Sequence, residues 1–513
     1  MGEAAAYDVV EKPIAELAAD MAPGRVTAEA LAGAYLARIE AVDRAGPCLR
    51  SVIAVSPRAL EDARAMDAER RAGQVRGALH GVPVLVKDNI ETADGCATTA
   101  GSLALRDNVT LRDAPVVRRL KDAGAVVIGK TNLSEWANIR SSTSISGWSA
   151  VGGLVKNPYA LDRSAAGSSS GAGAAIAASL AAAGVGTETD GSVTAPSSFA
   201  GLVGLKPTVG LVSRTHVVPI SHSQDTPGPM CRCVEDAAIL LTAMAGTDPA
   251  DPATAEADAR RGDYAAALAG ATLGGKRLGV LGFAARLRPS VDAVFDAAVA
   301  LLRAEGAEVI EIADFEPPAD LRKDERAVLL SELKADLNAY LATTAPAVTA
   351  RTLADLIAFN AASPRELALF GQDLFEQAEA TAGLGDPAYL EARARSLRAA
   401  REDGLDRLLA GFDALITTSY GPAARIDVAT GDHGLGRAAQ LPAIAGYPHL
   451  TVPMGQVRGL PVGLSFIGPA WSEAALLALG FAFERAAKAR RPPTYAASLE
   501  SAPEVEAAAA PVR

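Results

Sequence analysis

Histidine is scarce in this chain of 513 residues, which has five, and cysteine is scarcer still, with four. Four cysteines are too few to form a disulfide framework in so long a chain, which excludes a small disulfide-stapled scaffold. Cys231 and Cys233 have no second cluster of cysteine or histidine nearby, and this argues against a structural zinc site. We therefore expect no metal.

Long apolar runs and runs of basic residues are also missing. No stretch reaches the roughly 18–20 apolar residues that span a bilayer, and the net charge is −11. Binding to nucleic acid or to a membrane surface needs a basic face, so we expect neither partner. The opening MGEAAAYDVVEKP lacks the pattern of a secretory signal. A cytoplasmic location is the default prediction, and an exported mature chain would also fit.

Aliphatic residues make up for the shortage of aromatics, because 49% of the chain is hydrophobic while only 4% is aromatic. Helical periodicity and short apolar runs alternate along the sequence, which favours an α/β fold. Helices are predicted at residues 14–21, 28–42, 113–123, 289–303 and 473–490, and strands at 82–86, 125–129, 277–283, 308–313, 450–453 and 463–467.

The sequence predicts a single domain over residues 1–513, because no linker rich in proline, glycine and serine divides it. Residues 319–409 read as almost continuous helix, broken at Pro346 and Pro364, and form a predicted helical insertion. The tail from about residue 500 to 513 is rich in alanine, glutamate and proline and is predicted to be disordered.

Small residues concentrate between positions 141 and 212, above all in GSSSGAGAAIAASLAAAGVGTETDGSVTAPSSFAGLVGLKP (167–207). A flexible linker would not continue into a long apolar stretch of small residues and then a second Gly/Ser turn. Small residues let backbone segments approach closely, so that N–H groups can face a substrate. The motifs of nucleotide-binding loops are missing, which disfavours phosphate binding.

Two kinds of serine enzyme compete for this segment. The string GSSSG (167–171) matches the nucleophile elbow G-x-S-x-G, which would make Ser169 the nucleophile. An elbow needs a hydrophobic strand before it and a catalytic histidine after it. The preceding PYALDRSAA is not such a strand, and no downstream histidine has an evident catalytic context. The elbow hypothesis is therefore disfavoured.

The second hypothesis needs no histidine. Lys87 follows the apolar run 82–86, so a lysine stands at the end of a predicted buried strand. A lysine usually lies at the surface, where it would pair with Asp88. Burial, however, lowers the pKa of a lysine and makes it a general base near neutral pH. A serine activated by a lysine is a known variant of the catalytic triad.

These residues resemble the amidase signature family, through GVPVLVKDNI around Lys87, GSSSG and TETDGSVTAP, and also GKTNLSEWAN, GLVGLKPTVGLVS and SQDTPGPM. The likeness extends from about residue 10 to 490 and is strongest to the bacterial peptide amidases, in NLSEWAN, SISGWSAVGG and TETDGS. The resemblance implies a large mixed sheet covered by helices on both faces, with a mostly helical insertion. It also implies amide hydrolysis without a cofactor.

The resemblance assigns roles to three side chains. Ser192 matches the nucleophile, Ser168 the bridging serine and Lys87 the base. In this family the bridging serine follows a cis peptide bond. Ser169 matches a second loop serine that supports the others by hydrogen bonding. An acyl-enzyme on Ser192 would then be hydrolysed by water.

The resemblance also assigns an oxyanion hole and shows where this chain departs from the family. The hole is matched by the backbone N–H groups of Thr189, Asp190, Gly191 and Ser192. Asp190 stands where the family usually has glycine, so a carboxylate enters the edge of the site, where it could bind a cationic or amide group. Thr194 replaces a common arginine. Ala166 and Ser170 replace glycines of the loop.

The implied substrate is a small-molecule or peptide amide, most of all a C-terminal peptide amide or an amino-acid amide. Three alternatives stay open: a glutaminase subunit of a tRNA-dependent amidotransferase, a fatty or aryl amide hydrolase, and a catalytically silent binding protein. The silent protein would be expected to lack Lys87, Ser168 or Ser192, and all three are present. A monomer or a homodimer is expected.

Overall fold

The computed structural model describes residues 7–434, 436–501 and 503–511. Its strands are β1 Val52–Val55, β2 Pro83–Lys87, β3 Val126–Thr131, β4 Trp148–Ser149, β5 Gly153–Leu154, β6 Lys156–Asn157, β7 Ala160–Ser164, β8 Ala183–Glu188, β9 Val203–Lys206, β10 Thr226–Cys231, β11 Arg277–Leu281, β12 Glu308–Ile312, β13 Ala414–Thr418, β14 His449–Val457 and β15 Leu460–Ile467.

The α-helices are α1 Ile14–Met21, α2 Ala28–Arg38, α3 Ala59–Arg71, α4 Pro115–Asp122, α5 Ser170–Ala177, α6 Thr194–Phe199, α7 Val234–Met244, α8 Ala257–Arg260, α9 Gly282–Ala285, α10 Pro289–Ala304, α11 Leu321–Leu341, α12 Leu353–Ala362, α13 Asp373–Glu379, α14 Pro387–Ala400, α15 Asp406–Leu408, α16 Gln440–Ala445, α17 Glu473–Ala487 and α18 Pro503–Ala509. Short π-helical segments follow α2 and α14, at Ile39–Arg44 and Arg401–Leu405.

Eleven strands join into one mixed sheet in the order β1-β3-β2-β8-β10-β9-β14-β15-β13-β11-β12. β2 runs parallel to β3 and β8, and β11 runs parallel to β12 and β13. The other neighbouring strands are antiparallel. Helices pack on the sheet from both sides. The predicted fold class is therefore confirmed.

Most predicted elements are present with small changes at their ends. The parallel pair β11 and β12 is connected by α10, which is the βαβ unit that the pattern indicates. The helix predicted over residues 28–42 is α-helical only to Arg38 and then widens into a π-helix. The predicted insertion is a series of separate helices, α11 to α15, because its breaks at 342–352 and 363–372 are longer than the single prolines suggest.

The tail differs from its prediction. Where the composition predicts disorder from about residue 500, the structure has the short helix Pro503–Ala509. Three alanines and two glutamates with a proline at the first position favour a helix there. Residues 502, 512 and 513 of that tail lie outside the described residues. The single-domain organisation stays a prediction. None of the helices described is long and apolar enough to cross a membrane.

The small residues serve close packing at the centre of the sheet. Helix α5, with the sequence SGAGAAIA, is buried along its whole length against β8. A side chain at Gly171 would meet the backbone carbonyl oxygens of Ser51 and Asn132. Any larger residue would push α5 away from the strands, and α5 begins directly after the GSSSG serines. The packing therefore fixes the position of that loop.

Candidate active site

Lys87 ends β2, at the centre of the sheet, and is fully buried. Its Nζ donates hydrogen bonds to Ser168 Oγ at 2.8 Å and to Thr187 Oγ1 at 2.9 Å. A longer contact of 3.3 Å joins Nζ to the Thr187 carbonyl. The Oγ1 of Thr187 also accepts from Asn89 Nδ2 at 2.9 Å. Lys87 is therefore held at a fixed distance from Ser168, and it does not pair with Asp88 at the surface.

Burial lowers the pKa of Lys87 from 10.5 to about 7, against the attraction of the Asp225 and Glu188 carboxylates. Removing an ammonium from water disfavours its charged form, and the two carboxylates only partly restore it. Near neutral pH a large fraction of Lys87 is therefore uncharged. An uncharged amine within 2.8 Å of a serine hydroxyl can accept its proton.

The loop that carries Ser168 is tightly constrained. The peptide bond between Gly167 and Ser168 is cis, and Ala166 before it has a positive φ of 56°. The Ser168 carbonyl accepts the backbone N–H of Ser134 at 3.0 Å. Ser170 at the start of α5 donates through Oγ to the Ala166 carbonyl. These contacts orient the buried hydroxyl of Ser168 toward Lys87.

Ser192 lies in the turn between β8 and α6, next to the Ser168 loop. Its carbonyl accepts the backbone N–H of Ser169 at 3.1 Å, which joins the two segments. Ser192 is 8% exposed, whereas Ser168 is fully buried, so of the two hydroxyls the one on Ser192 can be reached by a substrate. The described residues show no hydrogen bond between Ser168 Oγ and Ser192 Oγ. Catalytic hydrogen bonds often tighten only when substrate binds.

A turn with free N–H groups precedes Ser192. Gly191 has φ of +79°, and a side chain there would meet the Tyr420 hydroxyl. Within the described part of the chain, the backbone N–H groups of Asp190, Gly191 and Ser192 donate to no protein acceptor. Donors left open beside a reachable serine can bind an anionic oxygen.

The side chain of Glu188 closes this turn. It accepts the backbone N–H groups of Val193 at 2.8 Å and Thr194 at 2.9 Å through one carboxylate oxygen. The Thr194 hydroxyl donates to the same oxygen at 3.2 Å. Thr194, which replaces the common arginine, thus helps to hold the turn. Residues 189–192 form a loop whose two ends are tied together by one carboxylate.

Ser169 has a different environment from the one that the elbow hypothesis requires. It is fully buried, its Oγ donates to the Thr187 carbonyl at 3.1 Å, and it accepts the Thr187 N–H at 3.2 Å. It contacts no histidine in the described structure. Ser169 therefore ties the Ser168 loop to β8, which is the supporting role that the resemblance implies.

Asp190 projects into a cavity of about 200 Å³ that is also lined by Gly167, Phe199 and Tyr420. Its carboxyl is reached by solvent through this cavity but is otherwise surrounded by protein. That burial, together with the nearby Glu325, raises the pKa of Asp190 well above its usual range. At neutral pH the group can therefore hold a proton and donate a hydrogen bond.

A second cavity, of about 440 Å³, lies on the other side of the turn, beside Thr187 and Thr189. Its wall is largely apolar and includes Val218, Ile220 and Tyr340. The two cavities flank the segment that carries the free N–H groups. The site therefore offers a large apolar space on one side and a smaller space with a carboxyl group on the other.

Several residues of the site are not predicted from the sequence. Asp225 accepts from the Thr189 hydroxyl at 2.6 Å and from the backbone N–H groups of residues 220 and 221. Gln224 Nε2 contacts the Thr189 carbonyl at 3.2 Å and Glu325 at 3.1 Å. The motif SQDTPGPM contains both Gln224 and Asp225, so the sequence marks the segment, but the contacts of these two residues depend on the fold.

The scarce histidines and cysteines lie outside the turn. His222, Glu332 and Asp336 have side chains close enough to share a cation, but each has hydrogen-bond partners in the protein. The cysteines are all free thiols, and burial raises the pKa of Cys231 and Cys233 well above the usual range.

The chain is similar along most of its length to known proteins. Residues 30–477 match the profile of the family described as Amidase. The structure of native peptide amidase from Stenotrophomonas maltophilia is 50% identical and superposes with a TM-score of 0.90, covering 95% of this chain and 99% of that chain. A probable amidase of Arabidopsis thaliana is 39% identical over 96% of this chain and 93% of its own. A glutamyl-tRNA(Gln) amidotransferase subunit from Halorhodospira halophila is 36% identical, over 93% and 97%.

Proposed function

Because the chain belongs to the amidase family and is an amide hydrolase, we propose that it cleaves C-terminal carboxamides of peptides or amino-acid amides to the acid and ammonia. The observation that carries this proposal is the hydrogen bond from buried Lys87 to Ser168, beside the turn that holds Ser192. The likeness to the peptide amidase covers nearly all of both chains and supports the choice of substrate.

In the proposed mechanism Ser192 is the nucleophile. Its Oγ attacks the amide carbonyl carbon and passes its proton to Ser168, which gives its own proton to neutral Lys87. The N–H groups of Asp190, Gly191 and Ser192, with that of Thr189, face the developing oxyanion. The proton then returns through Ser168 to the leaving nitrogen, and ammonia departs. Water repeats the relay and releases the acid from Ser192.

The two cavities suggest how a peptide amide is oriented. The 440 Å³ cavity, with its apolar wall of Val218 and Ile220, suits a side chain of the acyl part. Asp190 on the other side suits the carboxamide nitrogen or a cationic group of the substrate. No cofactor takes part. The monomeric or homodimeric state and the cytoplasmic location stay predictions.

The second candidate is a glutaminase subunit of a tRNA-dependent amidotransferase, which the likeness to the Halorhodospira halophila protein favours. Such a protein would need partner subunits for its overall reaction. The purified single chain separates the two candidates when ammonia release is measured from a peptide amide, free glutamine, a fatty amide and an anilide. Fast release from the peptide amide alone supports the proposal, and preference for glutamine contradicts it.

Substitutions at the serines and the lysine test the residue roles. Ser192→Ala should abolish turnover of a peptide amide, and Ser168→Ala and Lys87→Met should each lower kcat by about 1,000-fold or more, because the three act as a unit. Ser169→Ala should retain more activity than any of them, since its Oγ contacts only the Thr187 backbone. An active Ser192→Ala variant, or a Ser169→Ala variant that alone is dead, would reject this mechanism in favour of the elbow.

A further inference from the structure

Lys206 is a fully buried lysine that the mechanism above does not use. It ends β9, within the sequence GLVGLKPTVGLVS, and is one of the largest completely buried side chains of the protein. Its Nζ donates to the carbonyl of Pro207 at 3.1 Å, which is its only hydrogen bond in the described structure. A buried ammonium with spare donors needs a nearby negative charge.

The register of the sheet places Lys206 toward the nucleophile turn. Strand β10 lies between β9 and β8, with Met230 opposite Gly204 on one side and Thr226 opposite Glu188 on the other. Counting along these ladders puts Lys206 and Glu188 on the same face of the sheet, because side chains alternate with a period of two. The negative charges that face Lys206 are those of Glu188, Glu473 and Asp190, with Glu188 the strongest.

Glu188 needs such a partner. It is 1% exposed, and while one carboxylate oxygen closes the turn, Oε1 has no hydrogen-bond partner in the part of the chain described. An unpaired buried carboxylate would take up a proton or shift toward solvent. Either change would weaken its bonds to the N–H groups of Val193 and Thr194, and the turn would lose its clamp.

We propose that Lys206 is a positioning residue whose ammonium compensates the Glu188 carboxylate, so that the loop 189–192 keeps Ser192 and its N–H donors in place. The proposal rests on the proposed role of Ser192. Lys206 acts through Glu188 and does not contact the substrate.

The other charged groups around Lys206 do not replace Glu188. Glu473, on α17, is engaged by the Thr208 N–H at 2.7 Å. His449 is directly opposite Lys206 on β14, and burial together with Lys206 lowers its pKa to about 3, so it is neutral. Burial lowers the pKa of Lys206 itself to about 8, against the attraction of the carboxylates. Compensation of Glu188 is therefore lost as the pH rises through about 8.

Three variants of the full chain test the proposal, with peptide-amide hydrolysis as the assay. Lys206→Met removes the charge at similar volume and should lower kcat by about 30-fold or more, as loss of an oxyanion donor does, with little change in KM. Its thermal midpoint should not fall, because replacing a buried ion by an apolar group is often neutral or stabilising. Lys206→Arg keeps the charge and should retain activity, with the alkaline limb of kcat shifted upward from pH about 8.

The double variant Glu188→Gln/Lys206→Met distinguishes positioning through Glu188 from a general effect. Glutamine keeps an oxygen for the N–H groups of Val193 and Thr194 but carries no charge, so the double variant should recover most of the kcat lost by Lys206→Met alone. Full activity in Lys206→Met, or losses that simply multiply in the double variant, would overturn the proposal. If Ser192→Ala were active, the proposed function would fail first, whatever the Lys206 variants do.

Discussion

The base of this site is set by a balance at one side chain. Lys87 is uncharged near neutral pH because its burial outweighs the attraction of Asp225 and Glu188. Asp225 is itself largely enclosed, and burial raises the pKa of its carboxyl to about 6, against the hydrogen bond from Thr189. One acidic residue thus both anchors the oxyanion segment and raises the proton affinity of the base.

Removal of the Asp225 charge should shift the pH dependence of the reaction. Because that charge raises the pKa of Lys87, Asp225→Asn should move the acid limb of kcat/KM from about pH 7 to lower pH. Lys87 must be neutral to accept a proton, so the variant should be relatively more active at low pH than at its plateau. Asp413→Asn is a matched control, since Asp413 pairs with Lys276 far along the sheet. An unchanged limb in Asp225→Asn would contradict this balance.

At this scale the sequence predicts the reactive residues but not their supports. Lys87 is indicated by the apolar run before it, and Ser168 and Ser192 by motifs that resemble a family. The contact of Asp225 with Thr189 joins positions 36 apart in sequence, and no local pattern specifies it. Long-range partners of this kind depend on strand order, which periodicity does not give.

At the scale of elements, the site depends on how closely α5 approaches its neighbours. Gly171→Ala should destabilise the protein by about 3 kcal/mol, because its methyl group would meet backbone oxygens that cannot move aside. Gly33→Ala, in the interior of α2 with open space around it, should stabilise by about 0.5–1 kcal/mol. Urea unfolding of both variants measures the difference. Equal effects at the two glycines would show that α5 is not tightly packed.

The elements that the sequence does not predict share a reason. β8 reads AGVGTE and β10 reads TPGPMC, so glycines and prolines occupy strands that lie side by side at the centre of the sheet. Glycine and proline are depleted in strands, and propensity therefore argues against both. Here the demand for close approach to α5 outweighs propensity. The helices and the aliphatic strands, where pattern and packing agree, are predicted.

At the scale of the whole molecule, a buried arginine connects the helical segment to the loops of the site. Arg140 lies 2.8 Å from Glu135, faces Glu366, and donates to the Gly371 carbonyl at 3.0 Å. The Phe370 ring stacks on its guanidinium at 4.3 Å. Glu366 in turn accepts the backbone N–H of residue 103 at 2.7 Å. The loop between α12 and α13 is therefore fixed to the segment that follows β3.

Arg140→Met should loosen this attachment. It leaves two buried carboxyl groups uncompensated, and the free energy of unfolding should fall by about 3 kcal/mol at pH 7. The loss should shrink at low pH, because the carboxyl groups of Glu135 and Glu366 then take up protons. Arg395→Met removes an exposed arginine of α14 and should leave the unfolding midpoint unchanged. A loss that is constant with pH would show that the charge of Arg140 is not what matters.

The helix that follows Ser192 is held by strands from the far end of the chain. Ser198 in α6 accepts the backbone N–H of Gly463 in β15 at 3.1 Å, and Lys206 pairs in register with His449 of β14. A chain emerging from the ribosome therefore carries its reactive serines through more than half of its synthesis without these last two strands. Amide-cleaving activity should appear only when translation is nearly complete, which keeps unfinished chains from attacking peptides in their surroundings.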